Sequence, residues 1–256
     1  MTAILFDKDG TIIDFKYLWL NWCYKIVNEG TKKIPGFKFK ELIKAWGVDL
    51  DYGYVAPAGL LAVGSVKELK RTLIEEILAA GKKNPKKLKS KKPKYFSMNK
   101  KEVEELVDII INSANEDIDE KGWVKPIKGV PGAIKKFHEM GYKLGVVTTD
   151  DTLEAEKHLE ALDLKKYFQV VLGCDLVNGC KPSTDLVIEA CRQMDIEPSR
   201  VVVIGDTVED MVMGKKAGVA FCVGVTSGVT PKEILLKKAD IVLSTAGELP
   251  GYIFKV

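Results

Sequence analysis

The sequence of 256 residues has no run of about eighteen apolar residues, and its cysteines form no CxxC pair. The first absence argues against a membrane-spanning helix. The second gives no indication of a zinc site or a disulfide framework, so we expect all five cysteines to be buried as small apolar residues. The chain also begins without the basic start and long apolar stretch of a secretory signal, which predicts a cytoplasmic protein.

The net charge is small, at +3, and does not by itself indicate a nucleic-acid partner. One segment is unusual, because residues 81–101 contain ten lysines and no acidic residue. We expect this segment to be a solvated, mobile surface stretch, since Pro85 and Pro93 prevent a continuous helix. The alternative is an electropositive lip that attracts anionic substrates. We expect neither a membrane nor a nucleic acid as partner, and the oligomeric state stays open between monomer and homodimer.

The part of the chain from about residue 124 onward alternates amphipathic helical patterns with unbroken apolar runs. Those runs are "KLGVVTT", "FQVVLG", "RVVVIGD", "VAFCVGV" and "DIVLS". Such alternation predicts a doubly wound α/β domain, with a parallel sheet that helices cover on both faces. Residues 3–6 form another apolar run, and residues 3–7 are expected to add a first strand to the same sheet.

Residues 15–123 do not follow this alternation. Four stretches there have apolar residues spaced by three and four, as in amphipathic helices: "DFKYLWLNWCYKIVNEG", "FKFKELIKAWGV", "SVKELKRTLIEEILAAG" and "NKKEVEELVDIIINSANEDI". The sequence therefore predicts a core formed by residues 1–14 and 124–256, with a helical module of residues 15–123 inserted after the first strand.

Polar residues follow the predicted strands, where ligands of open α/β sheets bind. They are Asp7 and Asp9 after the first strand, Thr148 and Thr149 after the second, Lys181 in the loop "NGCKPST", and Asp206 and Asp210 after "VVVIG". Each residue alone has an ordinary structural explanation, such as a helix cap or a turn. Together they supply the groups that phosphoryl transfer requires.

We assign roles to these residues from their chemistry. Asp7 can attack phosphorus and form an aspartyl-phosphate, and Asp9 can protonate the leaving alkoxide and later deprotonate water. Mg²⁺ prefers hard oxygen ligands and would relieve the repulsion between the carboxylates. The candidate metal ligands are Asp7, Asp9, Asp206 and Asp210. Asp210, one helical turn after Asp206, could also contact Lys181.

Electrostatic stabilisation of the transferring phosphoryl group must provide most of the catalysis. Lys181 and the hydroxyl of Thr148 are the candidate catalytic groups for this task. The candidate phosphate-binding residues are Gly10, Thr11, Thr149 and Lys181. We assign Asp150, Asp151 and Thr152 mainly to capping the helix "LEAEKHL", and we expect His138 and His158 to lie at the core edge or on the surface.

The motifs "FDKDGT", "VVT", "CKP" and "GDTVED" occur in the order and spacing of the haloacid dehalogenase superfamily, which the chain resembles. The resemblance implies a Rossmann-like core with strand order 5-4-1-2-3, Mg²⁺ dependence and a phosphorylated aspartate. It also implies that residues 15–123 are a helical cap of the C1 type. The stretch "GWVKPIKGVPGAIKKFHEMGYKLGVVTTDD" is most similar to the phosphoglycolate phosphatase branch.

An aspartate at position 9 resembles the phosphatases and phosphomutases of this superfamily. We therefore expect a Mg²⁺-dependent phosphatase acting on a small phosphorylated metabolite, with phosphoglycolate as the first candidate. The alternatives are a sugar phosphomutase of the β-phosphoglucomutase type or a nucleoside monophosphate phosphatase. A more distant alternative is a binding protein without catalysis that uses the lysine-rich segment.

Overall fold

The computed structural model describes residues 2–82, 98–120 and 122–253. Chain contacts divide the protein into two compact units, which we call the core unit (Met1–Leu18 and Val124–Val256) and the helical unit (Trp19–Trp123). Most of the lysine-rich segment 81–101, namely residues 83–97, lies outside the described residues, so the expectation of a solvated surface stretch stays a prediction.

The core unit contains one parallel sheet of six strands. In chain order they are β1 (Ala3–Phe6), β4 (Lys143–Val147), β5 (Val170–Leu172), β6 (Val201–Gly205), β7 (Phe221–Val225) and β8 (Ile241–Leu243). Their order across the sheet is β5-β4-β1-β6-β7-β8. Both faces are covered, so the inner strands β1 and β6 consist of buried apolar residues without alternation. The predicted α/β class is confirmed. Counted in chain order within this sheet, β1, β4, β5, β6 and β7 are strands 1 to 5, so the order β7-β6-β1-β4-β5 is the predicted 5-4-1-2-3. The sixth strand, β8, lies beside β7.

Helices connect these strands in the pattern that the sequence predicts. The main ones are α6 (Val130–Glu139), α7 (Thr152–Ala161), α8 (Asp185–Met194) and α9 (Val208–Ala217), followed by the short α10 (Lys232–Leu235) and α11 (Pro250–Ile253). Because β1 is in the middle of the sheet, with β4 on one side and β6 on the other, residues after these three strands lie at the same edge. This edge carries most of the predicted site.

The helical unit is built mainly from helices of different lengths. They are α1 (Phe15–Lys33), which begins in the core unit, α2 (Phe39–Ala45), α4 (Val66–Lys82) and α5 (Lys100–Glu120), with the short α3 (Leu60–Val63). At the start of α5 the Asn99 N–H donates to Glu102 Oε2 over 2.7 Å and the Glu102 N–H donates to Asn99 Oδ1 over 3.0 Å, which explains where that helix begins. Trp22 and Trp46 stack within the unit, with ring centroids 6.2 Å apart.

One feature of the helical unit was not predicted. A two-residue antiparallel pair, β2 (Val48–Asp49) with β3 (Tyr54–Val55), interrupts the helices. Strands this short leave almost no periodic signal, so sequence patterning could not reveal them. Every helix in the described part of the chain is too short or too polar to span a bilayer.

Candidate active site

Asp7 follows β1 directly, and its backbone N–H donates to the carbonyl of Ile204 in β6 over 2.8 Å. This bond continues the sheet pairing, so it fixes the position of the Asp7 backbone. The side chain is 9% exposed. Lys181 Nζ donates to Oδ1 of Asp7 over 2.5 Å, whereas Oδ2 is buried and has no hydrogen-bond partner among the described residues. One carboxylate oxygen is thus held and the other is available.

Lys181 lies in the loop between β5 and α8 and bridges two carboxylates. Its Nζ is 2.8 Å from Oδ1 of Asp210 as well as 2.5 Å from Oδ1 of Asp7. Burial alone would lower the pKa of Lys181, but the carboxylates of Asp210 and Asp7 outweigh burial and raise that pKa. The Lys181 side chain is therefore a fixed positive charge next to Asp7.

Asp206 and Asp210 are held by backbone geometry after β6. Asp206 is fully buried, and its Oδ2 accepts a hydrogen bond of 2.9 Å from the N–H of Val229. Asp210 is in the first turn of α9 and forms a capping box with Thr207, whose N–H and Oγ1 donate to Asp210 Oδ2 over 3.1 and 2.5 Å. The helix cap and the contact with Lys181 use different oxygens of the same carboxylate.

Three of the predicted metal ligands form one cluster. Asp7, Asp206 and Asp210 each offer an oxygen within 4.8 Å of the others. Burial raises the pKa of Asp7 to about 7, although Lys181 opposes this shift. Burial, with Asp7 and Asp210 adding repulsion, raises the pKa of Asp206 well above its usual range.

The cluster suits a divalent cation. Oδ2 of Asp7 and Oδ1 of Asp206 are buried oxygens with no hydrogen-bond partner in the described part of the chain, and hard cations bind such oxygens. The carboxylate of Asp9, the fourth predicted ligand, is not part of this cluster. Its Oδ2 lies 3.0 Å from Lys8 Nζ.

Two glycines make room for Asp206. Gly10 has φ of +88°, and a Cβ there would lie 2.6 Å from Asp206 Cγ. At Gly228 a Cβ would lie 1.8 Å from Asp206 Oδ2, so no larger residue fits at that position without a shift of the chain. Ser227 Oγ donates to the Gly10 carbonyl over 2.7 Å. Ser227 and Gly228 therefore support the site structurally, although neither is among the site residues that the sequence predicted.

The predicted phosphate-binding residues lie on loops that follow neighbouring strands. Gly10 and Thr11 follow β1, and the Thr11 hydroxyl is buried without a hydrogen-bond partner among the described residues. Thr148 and Thr149 follow β4, which pairs with β1. Thr148 is 1% exposed and accepts a hydrogen bond of 3.2 Å from the Asp150 N–H, whereas Thr149 is half-buried. The Gly10 N–H donates to the Ile13 carbonyl over 2.7 Å. The positions of Thr11, Thr148 and Thr149 are consistent with the predicted roles, which stay predictions.

A second buried lysine, Lys8, lies between the two aspartates of "FDKDGT". It is fully buried, and its Nζ lies 3.0 Å from Asp9 Oδ2, 2.9 Å from Asp150 Oδ2 and 2.8 Å from His158 Nδ1. Burial, reinforced by the Lys8 charge, lowers the pKa of His158 to about 3. Lys8 also lowers the pKa of Asp150 against the effect of burial. Lys8 and Asp150 are thus charged, and His158 is neutral.

These contacts correct two sequence-based assignments. Asp150 is not a helix cap but the ion-pair partner of Lys8, and His158 is buried beside the site and not at the core edge. The start of α7 is instead bonded to Asp175, whose Oδ1 accepts from the N–H and the hydroxyl of Thr152 over 2.8 and 2.7 Å. His138 is exposed and packs against the Tyr167 ring, as expected for a surface residue.

The cysteine prediction was right for three residues and wrong for two. Cys23, Cys191 and Cys222 are free and buried. Cys174 and Cys180 form a disulfide that closes the loop directly before Lys181. Loop backbone between β5 and α8 brings the two sulfurs together, which a spacing of six residues could not reveal.

A family comparison agrees with the arrangement of these residues. The profile of the haloacid dehalogenase-like hydrolases matches residues 1–218, which is most of the chain. The protein therefore belongs to this family of hydrolases, as the four motifs indicated.

Two curated relatives illustrate the range of the family. The chain is 30% identical to the pyrophosphatase PpaX of Halalkalibacterium halodurans over 220 residues, which is 86% of this chain and 81% of that protein. It is 36% identical to the phosphoglycolate phosphatase of Escherichia coli K12 over 110 residues. That second match spans 43% of each protein, so the chain aligns with less than half of the length of the E. coli enzyme.

Solved structures show the same fold. The β-phosphoglucomutase of Clostridium difficile superposes with a TM-score of 0.62 over 100% of this chain and 96% of that chain. The two sequences are 18% identical, so this likeness concerns the fold alone.

Proposed function

We propose that the protein is a Mg²⁺-dependent phosphatase that hydrolyses a small phosphate monoester through an aspartyl-phosphate on Asp7. The observation that carries this proposal is the state of the Asp7 carboxylate. Lys181 holds Oδ1, and Oδ2 is a buried oxygen to which no described residue donates a hydrogen bond. A carboxylate held in this way is a positioned nucleophile.

The first chemical step transfers the phosphoryl group to the protein. Asp7 Oδ2 forms a bond to phosphorus while the bond from phosphorus to the ester oxygen breaks. Asp9 gives its proton to the departing alkoxide, which leaves as a neutral alcohol. Lys181 and the Thr148 hydroxyl stabilise charge on the phosphoryl oxygens, and Thr11, which follows β1, is assigned the same task. The Gly10 N–H donates to the Ile13 carbonyl over 2.7 Å, so Gly10 contributes by leaving room for Asp206.

The second step releases phosphate and restores the protein. Asp9, now a carboxylate, takes a proton from water as the water oxygen bonds to phosphorus. The bond from phosphorus to Asp7 breaks, so inorganic phosphate leaves and Asp7 is again a carboxylate. Asp9 thus returns to its protonated form, and the cycle balances in atoms and protons.

Mg²⁺ would be held by Asp7, Asp206 and Asp210, the three clustered carboxylates. When bound, it supplies positive charge that offsets their repulsion and stabilises the transferring phosphoryl group. Asp9, whose carboxylate contacts Lys8, serves in this proposal as the proton-transfer group.

Two relatives suggest candidate substrates. The similarity to a phosphoglycolate phosphatase supports a small phosphorylated acid as substrate. The longer similarity to PpaX, which spans both units of this chain, favours inorganic pyrophosphate as a second candidate. A sugar phosphomutase is a third candidate, since its chemistry would use the same Asp7 and Asp9.

The test is release of inorganic phosphate, with Mg²⁺, across a panel of 2-phosphoglycolate, sugar phosphates, nucleoside monophosphates and pyrophosphate. We expect the parent to hydrolyse at least one of them and Asp7→Asn to hydrolyse none. Asp163→Asn, a change of an exposed aspartate, is the matched control and should retain parental activity. No release from any compound would contradict the proposal, and conversion of a sugar monophosphate to its isomer without release would favour the mutase.

A further inference from the structure

Lys8 is a buried charge for which the reaction described above has no use. It is among the largest fully buried side chains of the described residues, at 0% exposure. Burying a lysine is costly unless its ammonium group is paired and hydrogen-bonded. The three acceptors around Nζ, on Asp9, Asp150 and His158, match the three protons of an ammonium group.

The partners of Lys8 hold it from a separate part of the chain. Asp150 follows β4, and His158 is on α7, 142 and 150 residues away from Lys8 in sequence. Asp150 is itself fixed, because its Oδ1 accepts a hydrogen bond of 2.9 Å from the Asp151 N–H. At the other end, the Lys8 carbonyl accepts hydrogen bonds from Ile12 and Ile13. The backbone of Lys8 and the ammonium end of its side chain are thus both anchored.

Each aspartate of the motif therefore has its own buried lysine. Lys181 Nζ lies 2.5 Å from Asp7 Oδ1, and Lys8 Nζ lies 3.0 Å from Asp9 Oδ2. The Asp9 side chain is 12% exposed, so it lies at the boundary with solvent, where a carboxyl group could adopt other rotamers. A fixed ammonium group bonded to one oxygen restricts that choice.

We propose that Lys8, held by Asp150 and His158, is a positioning residue that orients the Asp9 carboxyl group for proton transfer. This inference depends on the proposed phosphatase function. Asp9 gives its proton to the ester oxygen as the bond from that oxygen to phosphorus breaks, and a misplaced carboxyl group makes this transfer slow. Loss of Lys8 should therefore matter most where the leaving group needs a proton.

The test compares two esters of similar shape. The leaving group of benzyl phosphate is an alkoxide that needs a proton, whereas the leaving group of p-nitrophenyl phosphate is a stable phenolate that does not. We expect Lys8→Met to lower kcat/KM for benzyl phosphate by roughly 10²-fold, within the range of general acid catalysis, and for p-nitrophenyl phosphate by about 3-fold or less. The variant Asp9→Asn should show the same selectivity. Here kcat/KM is the useful quantity, because it reports only the steps up to departure of the alcohol.

A double variant separates positioning from support of the fold. If Lys8 acts through Asp9, adding Lys8→Met to Asp9→Asn should lower kcat/KM for benzyl phosphate by no more than about twofold further. Val170→Ala, a cavity variant at the opposite end of β5, is the control for lost stability and should affect both esters equally. Asp150→Asn, which preserves shape, is measured in parallel and replaces Lys8→Met if that variant does not fold.

Equal losses on the two esters, or losses that multiply fully in the double variant, would overturn the positioning role. Failure of the proposed function would look different, since the parent would then hydrolyse neither these esters nor any compound of the panel.

Discussion

Lys181 Nζ donates a hydrogen bond of 2.5 Å to Asp7 Oδ1, although 174 residues separate the two in sequence. The sheet explains this contact, because Asp7 follows the central strand β1 and Lys181 lies in the loop after the edge strand β5. The same ammonium group contacts Asp210 over 2.8 Å. Among the described residues, Lys181 carries the only positive charge that contacts the cluster of Asp7, Asp206 and Asp210. Two of these three carboxylates thus share it.

Replacing Lys181 should nearly abolish activity. Lys181→Met removes the charge that offsets Asp7 and Asp210 and a donor for the phosphoryl oxygens, so we expect kcat/KM to fall by about 10²- to 10³-fold. Steady-state kinetics on the best ester of the panel measures this loss. Lys135→Met, on the exposed face of α6, is the matched control and should be neutral. A loss of less than about tenfold in Lys181→Met would be inconsistent with this role.

Stability of the metal-free protein should fall as the pH rises from about 4 to about 7. Burial raises the pKa of Asp7 from 3.8 to about 7 and raises that of Asp206 in the same direction, so the folded chain binds more protons than the unfolded chain in this window. Mg²⁺ binds the ionised carboxylates, so it should raise Tm more at pH 8 than at pH 5. Melting curves in EDTA and in Mg²⁺ at both pH values test this prediction.

A neutral residue at position 206 should abolish the stabilisation by Mg²⁺. Asp206→Asn preserves an acceptor for the Val229 N–H but removes a buried charge that Asp7 and Asp210 repel. At pH 8 in EDTA we expect its Tm to exceed that of the parent by roughly 3 °C, with little or no further increase on adding Mg²⁺. A variant that is less stable than the parent in EDTA, yet still stabilised by Mg²⁺, would show that the cluster is not the metal site.

The Thr148 hydroxyl should contribute one hydrogen bond to the phosphoryl group. Thr148→Ala is expected to lower kcat/KM by roughly 10- to 100-fold, as for a lost hydrogen bond to a charged group, whereas Thr148→Ser should stay close to the parent. If serine fails to restore activity while the melting temperature is unchanged, the methyl group and not the hydroxyl is what matters.

Thiol counting tests the disulfide. Titration of the denatured protein without reductant should give three free thiols per chain, for Cys23, Cys191 and Cys222. After reduction the count should be five, because Cys174 and Cys180 are released. Five thiols before reduction would contradict this pairing.

Much of the fold followed from the sequence for identifiable reasons. Buried parallel strands such as β6, Val201–Gly205, are apolar throughout, and each is preceded by an amphipathic helix, so pattern alone located them. The candidate residues lie at the strand ends because the carboxyl ends of parallel strands share one edge. Asp7, Lys181 and Asp210 meet there as that rule requires.

What the sequence could not reveal depends on side-chain pairing over long distances. Asp150 and His158 look like a helix cap and a helix-surface residue in sequence, and only the folded chain brings them to Lys8. Lys8 itself was overlooked because it is flanked by two more obvious acids. The pairing of Cys174 with Cys180 depends in the same way on loop conformation, which spacing does not determine.

The most direct test of the account is to stop the reaction during turnover. The protein is quenched in acid while it hydrolyses its best ester with Mg²⁺, and the peptide that contains Asp7 is analysed by mass spectrometry. We predict the added mass of one phosphoryl group on Asp7, which hydroxylamine removes. Steady turnover with no phosphoryl group on Asp7, or with the group on another residue, would contradict the central claim.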